Sequence, residues 1–408
     1  MKKSILLIAA LLMCASVFGQ DPTRLNTSTP AQMGMDPVRL GRVDQVINQA
    51  IIDSIVPGAV ICVVRKDKIV YLKAYGNKSV YPKVEKMDVN TVFDLASCSK
   101  VVGTATSIMQ LVEAGQLRLT DRVDMYIPDF QPYVDPETGK KTHITIQDLL
   151  THTSGLPSYV QPAVIEKQYG NTNPERLIDW IAHCKRMYKP KTGHDYSCLN
   201  FITLQNVLQN ITHTSLSDYA QRNVFDRLGM KYTTYSPKAQ NKEEIMKRVA
   251  PTEMQPDGKC LLGEVHDPLA RVIGKGNSGN AGVFSCAQDL AVFAAAYMNG
   301  GAYDDKRILG EMTVKAMTRV PENVKQFGRS LGWDNFSDYS SNLGNLFTPE
   351  VTFGHTGYTG TSIAIDPESK TAVILLAHRV HPKDKGSVVR MRALVANIVA
   401  GSVVKSVK

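Results

Sequence analysis

The sequence predicts an α+β fold: an antiparallel sheet flanked by helices in an α/β/α sandwich, plus a mostly helical subdomain. Three observations predict it. Residues 59–64 and 69–75 are rich in β-branched side chains and flank residues 65–68, the pattern of a β-hairpin. Residues 362–365 and 372–376 repeat the pattern late in the chain, around the turn Asp366-Pro367-Glu368-Ser369. The chain between the two pairs carries amphipathic helical stretches broken by proline and glycine. The two hairpins are therefore expected to share one sheet, covered by the first and last helices. The groove between the sheet and the helical part is the expected site.

In chain order, Lys2-Lys3 opens a short positive start, and residues 5–17 are apolar. That stretch is too short to span a membrane. With Val17-Phe18-Gly19 before Gln20 it reads as a secretory signal peptide over residues 1–19, which places the protein outside the cytoplasm, periplasmic or secreted. Cys14 offers a lipoprotein alternative, but Leu11-Leu12-Met13 lacks the small residue usual before a lipidated cysteine. Residues 20–35 form an irregular polar lead.

Asp36-Pro37 reads as an N-cap followed by proline at the first helical position. Leu40, Val43, Ile47, Ala50 and Ile51 then recur at helical spacing, so a helix is expected to about Ser54, where Pro57-Gly58 ends it. Residues 102–114 read as a helix stopped by Gly115, and residues 384–400 as the last one. The folded domain is expected over 36–402, its α/β part about 36–105 and 290–402 and its helical part about 106–289.

Composition narrows the class. Hydrophobic residues are 43% and charged residues 21%, which excludes a disordered chain, a fibre and a multi-span membrane protein. The formal charge of +9, about +7 once Lys2 and Lys3 are removed, contains no run of five basic residues. No nucleic-acid partner and no stable membrane span are expected. Six cysteines follow the signal peptide without a C-x-x-C pair, and most read as small buried hydrophobes.

Ser97-Cys98-Ser99-Lys100 fits S-x-x-K at the start of a predicted helix. One helical turn separates the two, so the lysine amine lies beside the serine hydroxyl. A serine hydroxyl is a weak nucleophile, and a lysine of lowered pKa can take its proton. The bare motif is a poor signal, since Ser402-Val403-Val404-Lys405 matches it by chance.

Context makes it specific. Phe93-Asp94-Leu95-Ala96 precedes the motif. Leu149-Leu150-Thr151-His152-Thr153-Ser154-Gly155-Leu156, Tyr196-Ser197-Cys198-Leu199-Asn200 and Phe353-Gly354-His355-Thr356-Gly357 follow it. In order and spacing these resemble the serine β-lactamase-like superfamily, nearest to class C β-lactamases, D,D-peptidases and related esterases, across about 36–400. The resemblance implies a β-lactamase/transpeptidase-like fold and a serine hydrolase working through an acyl-enzyme. Ser97 would be the nucleophile, and Lys100 would help activate it. Tyr196 would share the proton work and protonate the leaving group. The backbone N–H groups of Ser97 and Tyr358 would form the oxyanion hole. Cys198, His355, Thr356 and Gly357 would border the substrate.

Two positions depart from the family pattern. Cys198 stands where Asn or Asp is usual, and His355 stands where Lys is usual. The first removes a strong hydrogen-bonding side chain, and the second a permanent positive charge. Both argue for an esterase or D,D-peptidase-like enzyme rather than an efficient β-lactamase.

Other residues have quieter readings. His152 reads as a structural hydrogen-bonder, Asn280 to Ser285 as a packing turn, and Cys98 and Cys198 as inert thiols. His266-Asp267 reads equally as pocket lining or surface. His378 and His381 have no acidic ligand nearby. No G-x-S-x-G elbow, zinc helix, P-loop or dinucleotide fingerprint is present, so no metal and no cofactor are implied. Expected partners are small-molecule or peptide substrates, peptidoglycan-derived ones among them. Two alternatives stay open: a penicillin- or cell-wall-binding protein that acylates without turnover, and a Ser–His–Asp arrangement with His355 or His152 as base.

Overall fold

The computed structural model describes residues 24–404; the expected signal peptide and Cys14 lie outside them. A six-stranded antiparallel sheet forms the centre. Its strands are β1 (Gly58–Arg65), β2 (Lys68–Ser79), β3 (Glu85–Lys86), β4 (Phe353–Thr356), β5 (Ser362–Asp366) and β6 (Thr371–Ala377), in the order β4-β5-β6-β1-β2-β3. Lys66 and Asp67, both at positive φ (49° and 58°), make the tight turn between β1 and β2. β1 and β6 pair from Ala59↔Ala377 to Arg65↔Thr371, joining the two ends of the chain in one sheet as expected.

β1 is buried along its whole length, so its two faces serve two cores. Ala59, Ile61 and Val63 pack with α1 (Val43–Ile52) and α5 (Val389–Gly401). Val60, Cys62 and Val64 join the larger core on the opposite face. This core also takes in α2 (Thr106–Glu113), α3 (Cys198–Thr212) and α4 (Ala287–Met298). Each fully buried Val, Ile or Leu contributes about 1.5–3 kcal/mol relative to exposure. The inner face of the sheet and the helical part thus share one continuous core. Among the described residues no helix is long and apolar enough to cross a membrane, and none of the six cysteines is paired.

Three helices differ from expectation. The first is two pieces, Pro37–Leu40 and Val43–Ile52, because the chain turns at Gly41. Asp36 caps the first piece, its carboxylate accepting from the N–H groups of Val38 and Arg39. The second helix begins earlier than residue 102, with a π-helical turn at Lys100–Ala105 leading into α2, and Gly115 (φ 71°) ends it. The last starts at Val389, not 384. The Asp384 carboxylate is taken by Tyr358 and Arg379, and Gly386 turns the chain at φ 75°.

Candidate active site

Ser97 sits on a turn that the sequence alone would not favour. Ala96 has φ 46°, the left-handed region, which costs a non-glycine residue about 1–2 kcal/mol. Asp94 offsets that strain. Its buried carboxylate accepts from the N–H of Ala96 at 2.8 Å and of His266 at 2.7 Å. Asp94 is fixed in turn by the pairing of Phe93–Asp94 with Val283–Ser285. Ser97 then lies in a single 3₁₀ turn, Ala96–Cys98, and Lys100 opens the helix behind it.

Lys100 is fully buried. Its Nζ donates to Ser97 Oγ at 3.1 Å and to the Asn280 carbonyl oxygen at 2.9 Å, and lies 3.6 Å from Cys198 Sγ. The Asn280 segment therefore does more than pack. Burial pushes the lysine towards neutrality, whereas negative charge on Cys198 or Tyr196, once either is ionised, takes Lys100 above its ordinary range. The net direction is upward, not the lowered pKa expected of a lysine base, and the lysine shares its proton with the acids beside it.

Tyr196 precedes α3. Ser197 N–H donates to His152 Nδ1 at 3.0 Å, Ser197 Oγ to the Pro157 carbonyl at 2.6 Å, and Cys198 N–H to the Ser158 carbonyl at 2.8 Å. These bonds fix the backbone on which Tyr196 stands. Its ring centre lies 5.0 Å from Lys100 Nζ and 4.5 Å from the His152 ring. Its hydroxyl is buried and closes no hydrogen bond, though Ser97 is near enough to favour its ionised form. Burial pushes the phenol up, and Lys100 and Arg329 pull against that shift.

The two histidines are not paired with the serine. His152 Nδ1 accepts from Ser197 N–H and faces Asn200 Nδ2 at 3.2 Å, a structural role. His355 Nδ1 faces the Thr356 carbonyl at 2.9 Å, which places its proton there. Burial first, then Arg329 and Lys100, keep both imidazoles neutral. A Ser–His–Asp triad through His152 or His355 has no hydrogen bond to rest on.

Strand β4 carries His355 and Thr356 past the serine turn, and Gly357 follows its end. A Cβ on Gly357 would meet Thr361 Oγ1 at 2.2 Å and the Leu95 carbonyl oxygen at 2.4 Å, so only glycine allows this approach. Arg392 Nη2 clamps the strand end through the Gly357 and Thr361 carbonyls at 2.7 and 2.8 Å. The N–H groups of Ser97 and Tyr358 have no protein acceptor among the described residues, and both residues line the cavity. The Cys198 thiol is raised by burial, and burial takes Cys98 to about 12, so both are neutral thiols.

The cavity has two arms that meet at Ser97, Tyr196 and Tyr358. One, of about 420 Å³, carries Arg329, Asp334, Arg379 and Arg392. The other, of about 480 Å³, carries Tyr159, Glu253, His266, Asp267 and Asp384. His266 and Asp267 therefore line the site, and His266 Nε2 pairs with Glu253 at 3.0 Å. Sequence reasoning missed Arg329, which stands in no recognisable motif. It likewise missed Asp94 as the support of the serine turn.

A serine at the cavity wall paired with a buried lysine, with a tyrosine beside them, between an antiparallel sheet and helices, defines an enzyme of the serine-hydrolase class. The Beta-lactamase family matches residues 43–397, and this chain belongs to that family. An Escherichia coli (strain K12) protein provisionally named D-alanyl-D-alanine carboxypeptidase is 29% identical over 404 residues, spanning 93% of this chain and 92% of its own. A Salmonella agona (strain SL483) protein of the same provisional name is 30% identical over 409 residues, with the same coverage. Among solved structures, EstCE1, a hydrolase with promiscuous acyltransferase activity, superposes with TM-score 0.70 at 22% identity, covering 89% of this chain and 99% of its own. A class C beta-lactamase superposes at TM-score 0.68 and 19% identity, covering 91% and 98%.

Proposed function

We propose that this chain is an exported serine hydrolase that cleaves an ester or amide through an acyl-enzyme on Ser97, esterase- or D,D-peptidase-like rather than an efficient β-lactamase. The observation that carries this reading is the hydrogen bond from the buried Lys100 Nζ to Ser97 Oγ at 3.1 Å. Export rests on the leader read from residues 1–19. The provisional names of the Escherichia coli and Salmonella relatives favour a peptide-like substrate.

In this mechanism Ser97 Oγ attacks the substrate carbonyl and gives its proton to the Lys100–Tyr196 pair, in the form of the pair that has already lost one proton. The developing oxyanion takes the N–H groups of Ser97 and Tyr358. Tyr196 returns the proton to the leaving alcohol or amine as its bond to the carbonyl carbon breaks. Water then attacks the acyl-enzyme by the reverse proton path and frees Ser97. Both cations at the tyrosine favour the charge that it bears in passing. Cys198, His355, Thr356 and Gly357 border the bound substrate.

The test is intact-protein mass spectrometry after a fluorophosphonate probe and, in parallel, after penicillin. A fluorophosphonate adduct on wild type and none on Ser97→Ala supports the reading. An undiminished adduct on Ser97→Ala refutes it. A persistent penicillin adduct would instead assign the chain to acylation without turnover.

A further inference from the structure

The neutral His355 leaves the site one fixed charge short of the family pattern, and an arginine from elsewhere in the chain stands nearby. Arg329 opens a tight hairpin, bridging to Asp334, which itself bridges to Gly354 next to His355. Its guanidinium carbon lies 5.2 Å from the centre of the Tyr196 ring, on which Lys100 also bears at 5.0 Å, and 5.5 Å from the Tyr339 ring. Arg329 is buried, and its Nε and Nη1 have no hydrogen-bond partner among the described residues. Among the described residues its ion-pair partner is Asp334, at a loose 3.6 Å. The Asp334 carboxylate is shared with Ser337 and Ser340, whose hydroxyls donate to it at 2.8 and 2.6 Å.

We propose that Arg329 is a positioning residue that supplies the second cation beside Tyr196, the charge that His355 does not carry. The inference rests on the Ser97 reading and deepens it. A buried guanidinium without close neutralising partners projects its field onto its nearest polarisable neighbour, here an aromatic face. The other groups facing Tyr196 do not compete. His152 comes from the loop after Ile146–Leu150 and His355 from β4, and His194, two residues before Tyr196, packs on the His152 ring behind it. All three are neutral, His194 held down at about 4 chiefly by burial. Cys198, at the head of α3, is a neutral thiol, and Tyr339 is a second phenol. Lys100 and Arg329 are therefore the two cations that bear on how readily Tyr196 gives up its proton. With both of its protons the Lys100–Tyr196 pair is inactive, so reaction at Ser97 rises with pH as the pair loses one.

The experiment is the rate of fluorophosphonate labelling against pH for wild type, Arg329→Gln, Arg329→Lys and Asp334→Asn. Removing a cation at this distance moves the alkaline midpoint of Arg329→Gln upward by about 1–2 pH units. Below the midpoint labelling slows by about 10- to 100-fold. Arg329→Lys restores part of the shift, and Asp334→Asn moves the midpoint downward. A purely structural arginine would scale the profile without moving it, and midpoints unchanged across the set overturn the proposal. If Arg329→Gln does not fold, an unmoved Asp334→Asn profile alone overturns it. Labelling that survives Ser97→Ala is a different failure, that of the Ser97 assignment.

Discussion

Lys100 Nζ reaches Ser97 Oγ at 3.1 Å while the Asn280 carbonyl, 2.9 Å away, holds the ammonium from behind. The lysine is thus aimed by a backbone group on a distant segment, and its place does not depend on substrate. Lys100→Met removes the cation that lets Tyr196 take the serine proton. Fluorophosphonate labelling of Ser97 should fall by about 10²–10⁴-fold, the usual worth of a positioned acid–base group. Near-normal labelling of this variant would return the histidine-based alternative.

Gly357→Ala tests the approach of β4 to the serine turn. The added methyl meets Thr361 Oγ1 and the Leu95 carbonyl well inside contact distance. Urea unfolding should show a loss of about 1–3 kcal/mol from overpacking. Labelling of Ser97 should fall as well, because Leu95 belongs to the turn that carries the serine. Stability and labelling both at wild-type level would show that strand and turn are not coupled through this contact.

The buried histidines make stability depend on acid. Burial drives the His378 pKa down to about 3, and its Nε2 faces the Lys78 carbonyl at 2.7 Å. A base depressed in the folded state contributes stability that is present above its unfolded pKa, near 6.5, and is lost as pH falls towards the folded value. Below about pH 6.5 the unfolded chain takes up a proton that folded His378 refuses, costing up to about 1.4 kcal/mol per pH unit. His152 and His355 act in the same direction. Asp289 opposes them: burial raises its pKa to about 6, so its contribution is present below about pH 4 and fades as pH rises through 6. Urea midpoints measured from pH 7 to pH 4 should fall, and His378→Gln should flatten the fall. A rising midpoint would contradict the dominance of the histidines.

Substrate preference follows from the two departures. With a neutral imidazole at His355 and a thiol at Cys198, the site lacks two strong partners for a β-lactam. Each charged hydrogen bond is worth about 1.5–3 kcal/mol, so kcat/KM for p-nitrophenyl butyrate should exceed that for nitrocefin by about 10²-fold or more. Parallel spectrophotometric assays check this, and the reverse order would contradict it.

The frame was legible because each hairpin carries its own signal. β-branched runs and a short turn mark β1–β2 and β5–β6, and burial on both faces follows from their continuous apolar character. Ser97 and Lys100 were legible through the spacing of S-x-x-K, and Tyr196 and His355 through the resemblance of their short motifs to the family's. Arg329 was not, because an isolated arginine in Arg329-Ser330-Leu331-Gly332 has no periodic or motif signature. It is brought beside Tyr196 by long-range contacts, among them the bridge of Asp334 to Gly354 and the bond of Gly332 N–H to the Leu150 carbonyl. The Lys100 charge state was also hidden, since it depends on neighbours far away in sequence. The late start of α5 turned on one side chain, Asp384, whose partners Tyr358 and Arg379 are brought near it only by the fold.

The most direct measurement is peptide mapping of enzyme quenched in acid during turnover of p-nitrophenyl butyrate. The account predicts a butyryl group on the peptide containing Ser97, absent from Ser97→Ala and from enzyme quenched without ester. Turnover by wild type with the acyl group on another residue, or at an undiminished rate in Ser97→Ala, would contradict it.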